Sequence, residues 1–306
     1  MGQLFWDLGD VRGEVAALAA ALIWAVSSTV YASFGRQLPP TVLNLTKGVV
    51  AIALISITLV LRGDAWNAMD RVSLLMLIAS GIVGIGIGDT AFFLALNSLG
   101  ARRALLMEAL APPLAALLAL VFLSELLDVK AYLGIVLTVF GVAWVVVERT
   151  SATVEGMTEG KMQLKTGLFF GFIAALCQAA GAVLSRAALA ETDISPLWSS
   201  LVRILAGTVV VLGWMSLKRP VAESLKPLRS PRFLVLIAST AFASTFIAIW
   251  LQQIALKYTA TGIAQALSAT SPLFVIPIAA LMGDRISLRS IAGAIIALAG
   301  VWILFR

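Results

Sequence analysis

Four ionisable side chains, Lys47, Asp89, Glu108 and Arg203, stand inside long apolar runs. Inserting such a group into a bilayer costs about 2.5–3.5 kcal/mol, so each needs a task. A carboxylate enclosed by apolar helices can bind an ammonium group or a proton, and a buried Lys or Arg can pair with a substrate carboxylate. Lys47 follows Pro40 by seven residues, roughly 10 Å along a helix, and Arg203 follows Pro196 by the same step. Their plainer roles are snorkelling to the nearer interface or a static ion pair that fixes packing. Because the two cations occupy matched places, a scaffold role suits them. The acids have no such match, since the positions 159 residues beyond Asp89 and Glu108 hold Ala248 and Leu267. A symmetric scaffold has no use for an acid in one half only, which makes Asp89 first and Glu108 second the candidates for binding substrate or a coupling ion.

Neutral polar residues complete a candidate lining. Trp24, Ser28 and Tyr31 share one helical face by their spacing, as do Gln178, Gly181 and Ser185. Gln252 and Gln253 follow Trp250, while Gln265, Ser268 and Pro272 align on a later run. For a single Ser or Trp, helix packing or an interfacial belt explains as much. An amide in lipid needs a partner, so Gln178, Gln252, Gln253 and Gln265 are the stronger candidates. Gly84, Gly86 and Gly88 allow close helix approach or local unwinding beside Asp89, and no strand or lysine makes them a nucleotide loop. Pro112, Pro113, Pro272 and Pro277 are expected to kink their helices, free carbonyls toward a cavity and serve as hinges, Pro113 and Pro272 above all. Glu125 and Asp284 close two runs at matched positions and read as structural.

The elements that must hold these residues follow from composition. The chain has 306 residues, 60% hydrophobic and 12% charged, against about 25% charged in an ordinary soluble domain. Its apolar residues fall in runs long enough to cross a ~30 Å hydrocarbon core, and unpaired backbone in lipid restricts such runs to helices. The expected spans are 14–34, 41–61, 73–97, 103–123, 130–147, 165–188, 197–217, 233–256, 260–282 and 288–305, joined by short linkers such as Gly35–Pro40, Leu99–Arg103 and Ser124–Lys130. There is no histidine and one cysteine, Cys177, so zinc and histidine-base chemistry and a disulfide framework are excluded. No metal or other cofactor is expected, and an enzyme would lack a recognisable nucleophile–base pair. The acidic stretch Met1–Glu14 has no basic start of a cleavable signal, so the first span is expected to be retained.

The two halves, 1–150 and 151–306, repeat. Leu77-Ile78-Ala79-Ser80 matches Leu236-Ile237-Ala238-Ser239 at an offset of 159 (236 minus 77). The same offset pairs Pro113 with Pro272, Glu125 with Asp284, Gly134 with Gly293 and Gly141 with Gly300. Five spans per half is odd, so the second half must enter the membrane from the opposite side. The expected fold is therefore an all-α membrane protein of ten transmembrane helices in a 5+5 inverted-topology repeat, an arrangement that places binding sites near the midplane.

The segment from Glu108 through Pro112-Pro113 and Ser124-Glu125 to Gly134 and Gly141 resembles the EamA domain of the drug/metabolite transporter superfamily. So does its partner, from Ser268 and Pro272 through Gly283-Asp284 to Gly293 and Gly300, and Gly86–Phe93 with Leu96–Ala101 is similar to that domain's third helix and following turn. Two tandem domains would cover nearly the whole chain. The resemblance implies a ten-helix inner-membrane carrier, an exporter of amino acids or related metabolites, with both termini cytoplasmic. Charge points the other way on the last count. Of the 22 Lys and Arg, 13 fall in odd-numbered linkers and 7 in even-numbered linkers and termini, which by the positive-inside rule puts both termini outside.

The functional expectation is a secondary transporter that exports small metabolites such as amino acids by alternating access, with proton coupling through a buried acid. The alternatives are a carrier of anionic metabolites that uses Lys47 and Arg203 as counter-ions, and a non-transporting membrane protein. The expected partners are a small-molecule substrate and the lipid bilayer, not nucleic acid, with the chain a monomer or weak homodimer in the cell (inner) membrane.

Overall fold

Apolar runs bounded by capping residues dictate helices. The structure, a computed structural model, describes residues 11–34, 39–64, 69–148, 161–218, 231–281 and 287–305. In chain order it contains α1 (Arg12–Phe34), α2 (Pro40–Arg62), α3 (Arg71–Ser80), α4 (Asp89–Glu108), α5 (Ala111–Leu123), α6 (Val129–Glu148) and α7 (Lys161–Leu189). There follow α8 (Pro196–Lys218), α9 (Pro231–Ala241), α10 (Ala248–Tyr258), α11 (Thr261–Ser268), α12 (Ser271–Leu281) and α13 (Leu288–Leu304). Two π-helical segments, Gly81–Gly88 and Phe242–Ile247, join α3 to α4 and α9 to α10. The protein is an all-helical membrane protein. Among the described residues six segments are long and apolar enough to cross a bilayer: Thr41–Arg62, Arg71–Ala95, Val129–Val147, Leu164–Leu189, Pro196–Leu217 and Phe233–Tyr258.

The ends follow from local chemistry. Pro40 opens α2, where its missing N–H costs nothing. Gly63 closes it at φ 64, and the Gly63 and Asp64 amides donate to the Val60 and Leu59 carbonyls, both at 3.1 Å. The Asp70 carboxylate accepts from the Val72 and Ser73 amides at 3.0 and 3.1 Å, and so caps α3. Within the spans, Thr46, Thr58 and Thr240 turn their hydroxyls back to carbonyls four residues earlier, which satisfies them without water.

Two expectations are corrected. Helical hydrogen bonding runs straight through the expected linker Leu99–Arg103, inside α4. The chain still reverses there. A Cβ on Gly88 would meet Cys177 of α7, while Leu99 lies against Gly167 and Met107 against Gly171, so the path descends α7 and then climbs it. Leu99, Ala101, Arg102 and Arg103 are strong helix formers, and together with Gly100 they fill this bend with no extended residue. The corresponding bend in the second half carries β-branched Thr259, which is extended at φ −128° and ψ 147°. The prolines differ too. Pro112 and Pro113 sit in the first turn of α5, after a break at Ala109–Leu110, and Pro272 is the second residue of α12, after a break at Ala269–Thr270. They restart helices where a missing N–H is harmless, and only Pro277 of these four stands inside a helix.

Equivalent elements of the two halves run antiparallel. Gly134 of α6 meets Leu304 and Gly300 of α13, and Gly141 meets Ala297 and Gly293. On α2, Val42 and Leu45 cluster with Val211 and Met215 of α8, Gly48 faces Thr208, and Ile55 and Leu59 cluster with Leu197 and Ile204. Gly134 thus faces the partner of Gly141, and Gly141 that of Gly134, the exchange that a two-fold relation produces. This pairing is consistent with an inverted repeat.

The glycines let α6 and α13 approach to backbone contact. A Cβ at Gly141 would overlap the Ala297 amide nitrogen and lie 2.6 Å from the Gly293 carbonyl oxygen. Gly141→Ala is therefore expected to destabilise the protein by about 1–3 kcal/mol, as overpacking does. The check is the thermal midpoint of the purified protein, followed by the reaction of Cys177 with a fluorogenic maleimide. An unchanged midpoint would refute the close approach.

Candidate functional site

The π-helical segment Gly81–Gly88 delivers Asp89 to the interior. Its wider turns are held in part by Thr90, whose hydroxyl donates to the Gly86 carbonyl at 2.7 Å. Such segments recur at functional positions because they re-aim side chains within a continuous helix. Gly88 packs on Cys177, where an added Cβ would lie 3.1 Å from the Cys177 Cβ, and Gly86 packs on Val210. These glycines serve close packing in an intact helical path, without unwinding.

Asp89 opens α4 and Glu108 ends it, yet the reversal within α4 brings both acids to one region. Lys47 of α2 and Arg203 of α8 act electrostatically on Asp89, and Asp89 acts on Glu108. All four intramembrane charges therefore gather in one neighbourhood from α2, α4 and α8. Opposite charges in a low-dielectric interior attract across distances that water would screen. Lys47, Asp89 and Glu108 are half-buried, whereas Arg203 is only 3% exposed.

Gln178 of α7 joins this group. An added Cβ on Gly84 would lie 3.5 Å from Arg203 Nη2 and 3.7 Å from Gln178 Oε1, so both side chains flank the same bare glycine. The other candidates disperse. Ser199 of α8 donates to Gln253 Oε1 at 2.8 Å, which makes Gln253 part of a helix contact. Gln252 and Gln265 are buried on α10 and α11. The Trp24 indole N–H donates to the Ser244 carbonyl in the second π-helical segment at 3.0 Å, pinning α1 to it. The side chains of Tyr31 and Ser28, and Asp284 altogether, lie outside the described residues. Ser185 turns out to hold helices together. The Ser80 hydroxyl donates to the Gly181 carbonyl at 2.5 Å, leaving Ser185 as the donor in the 2.9 Å contact between the two hydroxyls. Pro113 is exposed and Pro272 partly so.

Sequence reasoning missed Asn44, buried one turn before Lys47 on the same face, with its Nδ2 lacking a partner. An amide four residues from Pro40 reads as an end residue, and only packing reveals its burial. It also missed Arg186 as the partner of Glu125. Among the described residues no group of three acids or cysteines converges as a metal cage.

Membrane-length helices around a charged interior define a membrane carrier. The chain belongs to the EamA-like transporter family, which matches residues 11–147 and again residues 165–306. It is thus a member of the drug/metabolite transporter superfamily and a transporter, not an enzyme. No curated protein matches it. Among solved structures, 28 chains match. One, described only as a crystal structure of a protein, aligns with a TM-score of 0.78 over 97% of this chain and 98% of its own, at 16% identity. That likeness concerns the fold alone.

Proposed function

We propose that the protein is a secondary transporter that exports small metabolites such as amino acids across the cell (inner) membrane by alternating access. Ten spans in two inverted five-helix halves, 1–150 and 151–306, rock about the charged interior, and the chain acts as a monomer or weak homodimer. The observation that carries this reading is the gathering of Lys47, Asp89, Glu108 and Arg203 from three helices into one membrane-embedded neighbourhood. Family membership supports transport, and the antiparallel pairing of α2 with α8 and α6 with α13 supports inversion.

A site with two cations and two acids suits a substrate that carries both signs. One of the acids, Asp89, is the coupling group of this reading, and it exchanges a proton during the cycle. Asp89→Asn keeps the shape and removes that exchange. In proteoliposomes the variant is expected to lose at least about tenfold in uptake, equivalent to 1.4 kcal/mol, or to lose its response to a pH gradient, while the folded yield is unchanged. Normal, pH-responsive transport by the variant would remove Asp89 from the mechanism. Competition by phosphorylated compounds in place of amino acids would favour the anion-carrier alternative. A C-terminal reporter fusion decides the orientation of the termini.

A further inference from the structure

We infer that Arg203 forms an anchoring subsite for a carboxylate group, distinct in position and role from Asp89. The inference deepens the carrier reading and rests on it only in calling the ligand a substrate.

Arg203 as a residue is 3% exposed, and the Nε and Nη1 atoms of its guanidinium are buried without a hydrogen-bond partner. Leaving a buried donor unmatched is costly, and more so when it carries charge. Native interiors match nearly every such group, with protein, ordered water or a ligand. Among the described residues, Asp89 lies within electrostatic reach of Arg203 but makes no direct ion pair with it.

The surroundings specify the missing group. Ser199, one turn before Arg203 on α8, engages Gln253 through Oε1, which leaves Gln253 Nε2 as another buried donor with no partner. α8 and α10, which pack together, thus both hold surplus N–H groups, and an acceptor-only group is their complement. An added Cβ on Gly84 would stand 3.5 Å from Nη2, 3.7 Å from Gln178 Oε1 and 3.8 Å from the Gly181 Cα, so the bare glycine leaves a methyl-sized gap beside the guanidinium.

Charge selects a carboxylate over a phosphate dianion. Lys47 and Arg203 formally balance Asp89 and Glu108. A monoanion disturbs that balance by one unit and a dianion by two, and the cost of excess charge in a low-dielectric interior rises steeply with its size. The planar, two-oxygen carboxylate also matches the flat guanidinium, which a lysine ammonium does not.

Acetate and acetamide, nearly identical in shape, test the subsite directly. The full-length protein is purified and its unfolding midpoint followed by tryptophan fluorescence, at constant ionic strength balanced with sodium chloride. A ligand that binds the folded state raises the midpoint. Acetate is expected to raise it, acetamide and inorganic phosphate to do so much less. Arg203→Gln is expected to weaken the acetate response about tenfold or more, as loss of 1.4 kcal/mol of binding would, and Arg203→Lys to fall between. Equal shifts by acetate and acetamide, or a larger shift by phosphate, would overturn the inference in the wild-type protein alone. So would a wild-type acetate response in Arg203→Gln or, if that variant does not fold, in Arg203→Lys. No transport is measured here, so failure of the subsite with Asp89-dependent uptake intact leaves the carrier reading standing.

Discussion

Replacing Glu125 with alanine should cost the folded protein about 3 kcal/mol, the lower end of the range for breaking a buried ion pair. Arg186 Nε donates to Glu125 Oε1 at 2.7 Å, and the Thr261 amide donates to Oε2 at 2.8 Å. Both side chains are mostly enclosed, at 19% and 15% exposure for Arg186 and Glu125, so solvent screens the pair weakly. Removal of the carboxylate leaves a cation and a helix-start amide unmatched together. The loss stays at the low end because Arg186 Nη1 keeps its bonds to the Leu256 and Lys257 carbonyls, at 3.1 and 2.6 Å. Glu125→Gln retains an acceptor for the Thr261 amide and should cost about half as much. Arg186→Met, added to Glu125→Ala, removes the stranded cation, so the double variant should be more stable than additivity allows. The contrasting pair is Arg62–Asp64, at 3.2 Å with 48% and 32% exposure. Disrupting it should change stability by no more than about 1 kcal/mol. Unfolding midpoints of these variants and of Arg186→Met alone, measured in one detergent, check the scheme. A Glu125→Ala midpoint equal to that of wild type would sink it.

This junction also shows what sequence could and could not disclose. Glu125 was recognisable as a structural acid, because its match with Asp284 set it at a helix end in both halves. Its partner Arg186 lies 61 residues away, and no local pattern links residues at that separation. The spans on α2, α6 and α8 were legible because hydropathy is a property of each segment by itself. The bend within α4 was legible as a reversal but not as a helical one, since Gly100 beside Arg102 and Arg103 reads as a linker, yet the backbone keeps helical hydrogen bonding through it. The prolines were legible as interruptions but not as helix starts, since the place of Pro112, Pro113 and Pro272 in a first turn depends on where hydrogen bonding resumes. Gly84, Gly86 and Gly88 signalled close packing, though the widened turns of Gly81–Gly88 depend on a five-residue bonding pattern that composition does not encode.

The charged interior was legible for a different reason. Asp89 and Glu108 break the repeat, and an asymmetry in an otherwise repeated chain is visible by comparison of the halves alone. The convergence of Lys47, Arg203 and Gln178 upon them required the fold, as did the burial of Asn44. Gln252, Gln253 and Gln265 stand out in the sequence because an amide in lipid wants a partner. For Gln253 that partner is Ser199, a contact between helices, and the need of an amide for a partner does not distinguish such a contact from a binding site.

Gly81→Ala tests whether the placement of Arg203, rather than its mere presence, carries function. A Cβ on Gly81 would overlap the Arg203 carbonyl oxygen and lie 2.8 Å from both its carbonyl carbon and its Cα. All three are backbone atoms, so no side chain can swing aside, and α8 itself must retreat. Gly207 makes the reciprocal contact, with the Gly81 carbonyl 2.9 Å from where its own Cβ would stand. Stability should fall by about 1–3 kcal/mol, as for any overpacked contact. Transport should fall further, on the order of 10²-fold, because displacing a positioned group by about 1 Å has that effect on a reacting or binding centre. Gly213→Ala on the same helix is the control. Nothing lies within 4 Å of its Cβ position, so it should be neutral or raise stability by up to about 1 kcal/mol through helix propensity. Gly141→Ala supplies the second comparison, since it overpacks α6 against α13 with no charged residue at the contact. If Gly81→Ala and Gly141→Ala lose the same stability but only the former loses uptake and the acetate response, the effect belongs to Arg203. If both retain uptake in proportion to folded protein, the position of Arg203 carries no functional weight and its burial is scaffolding.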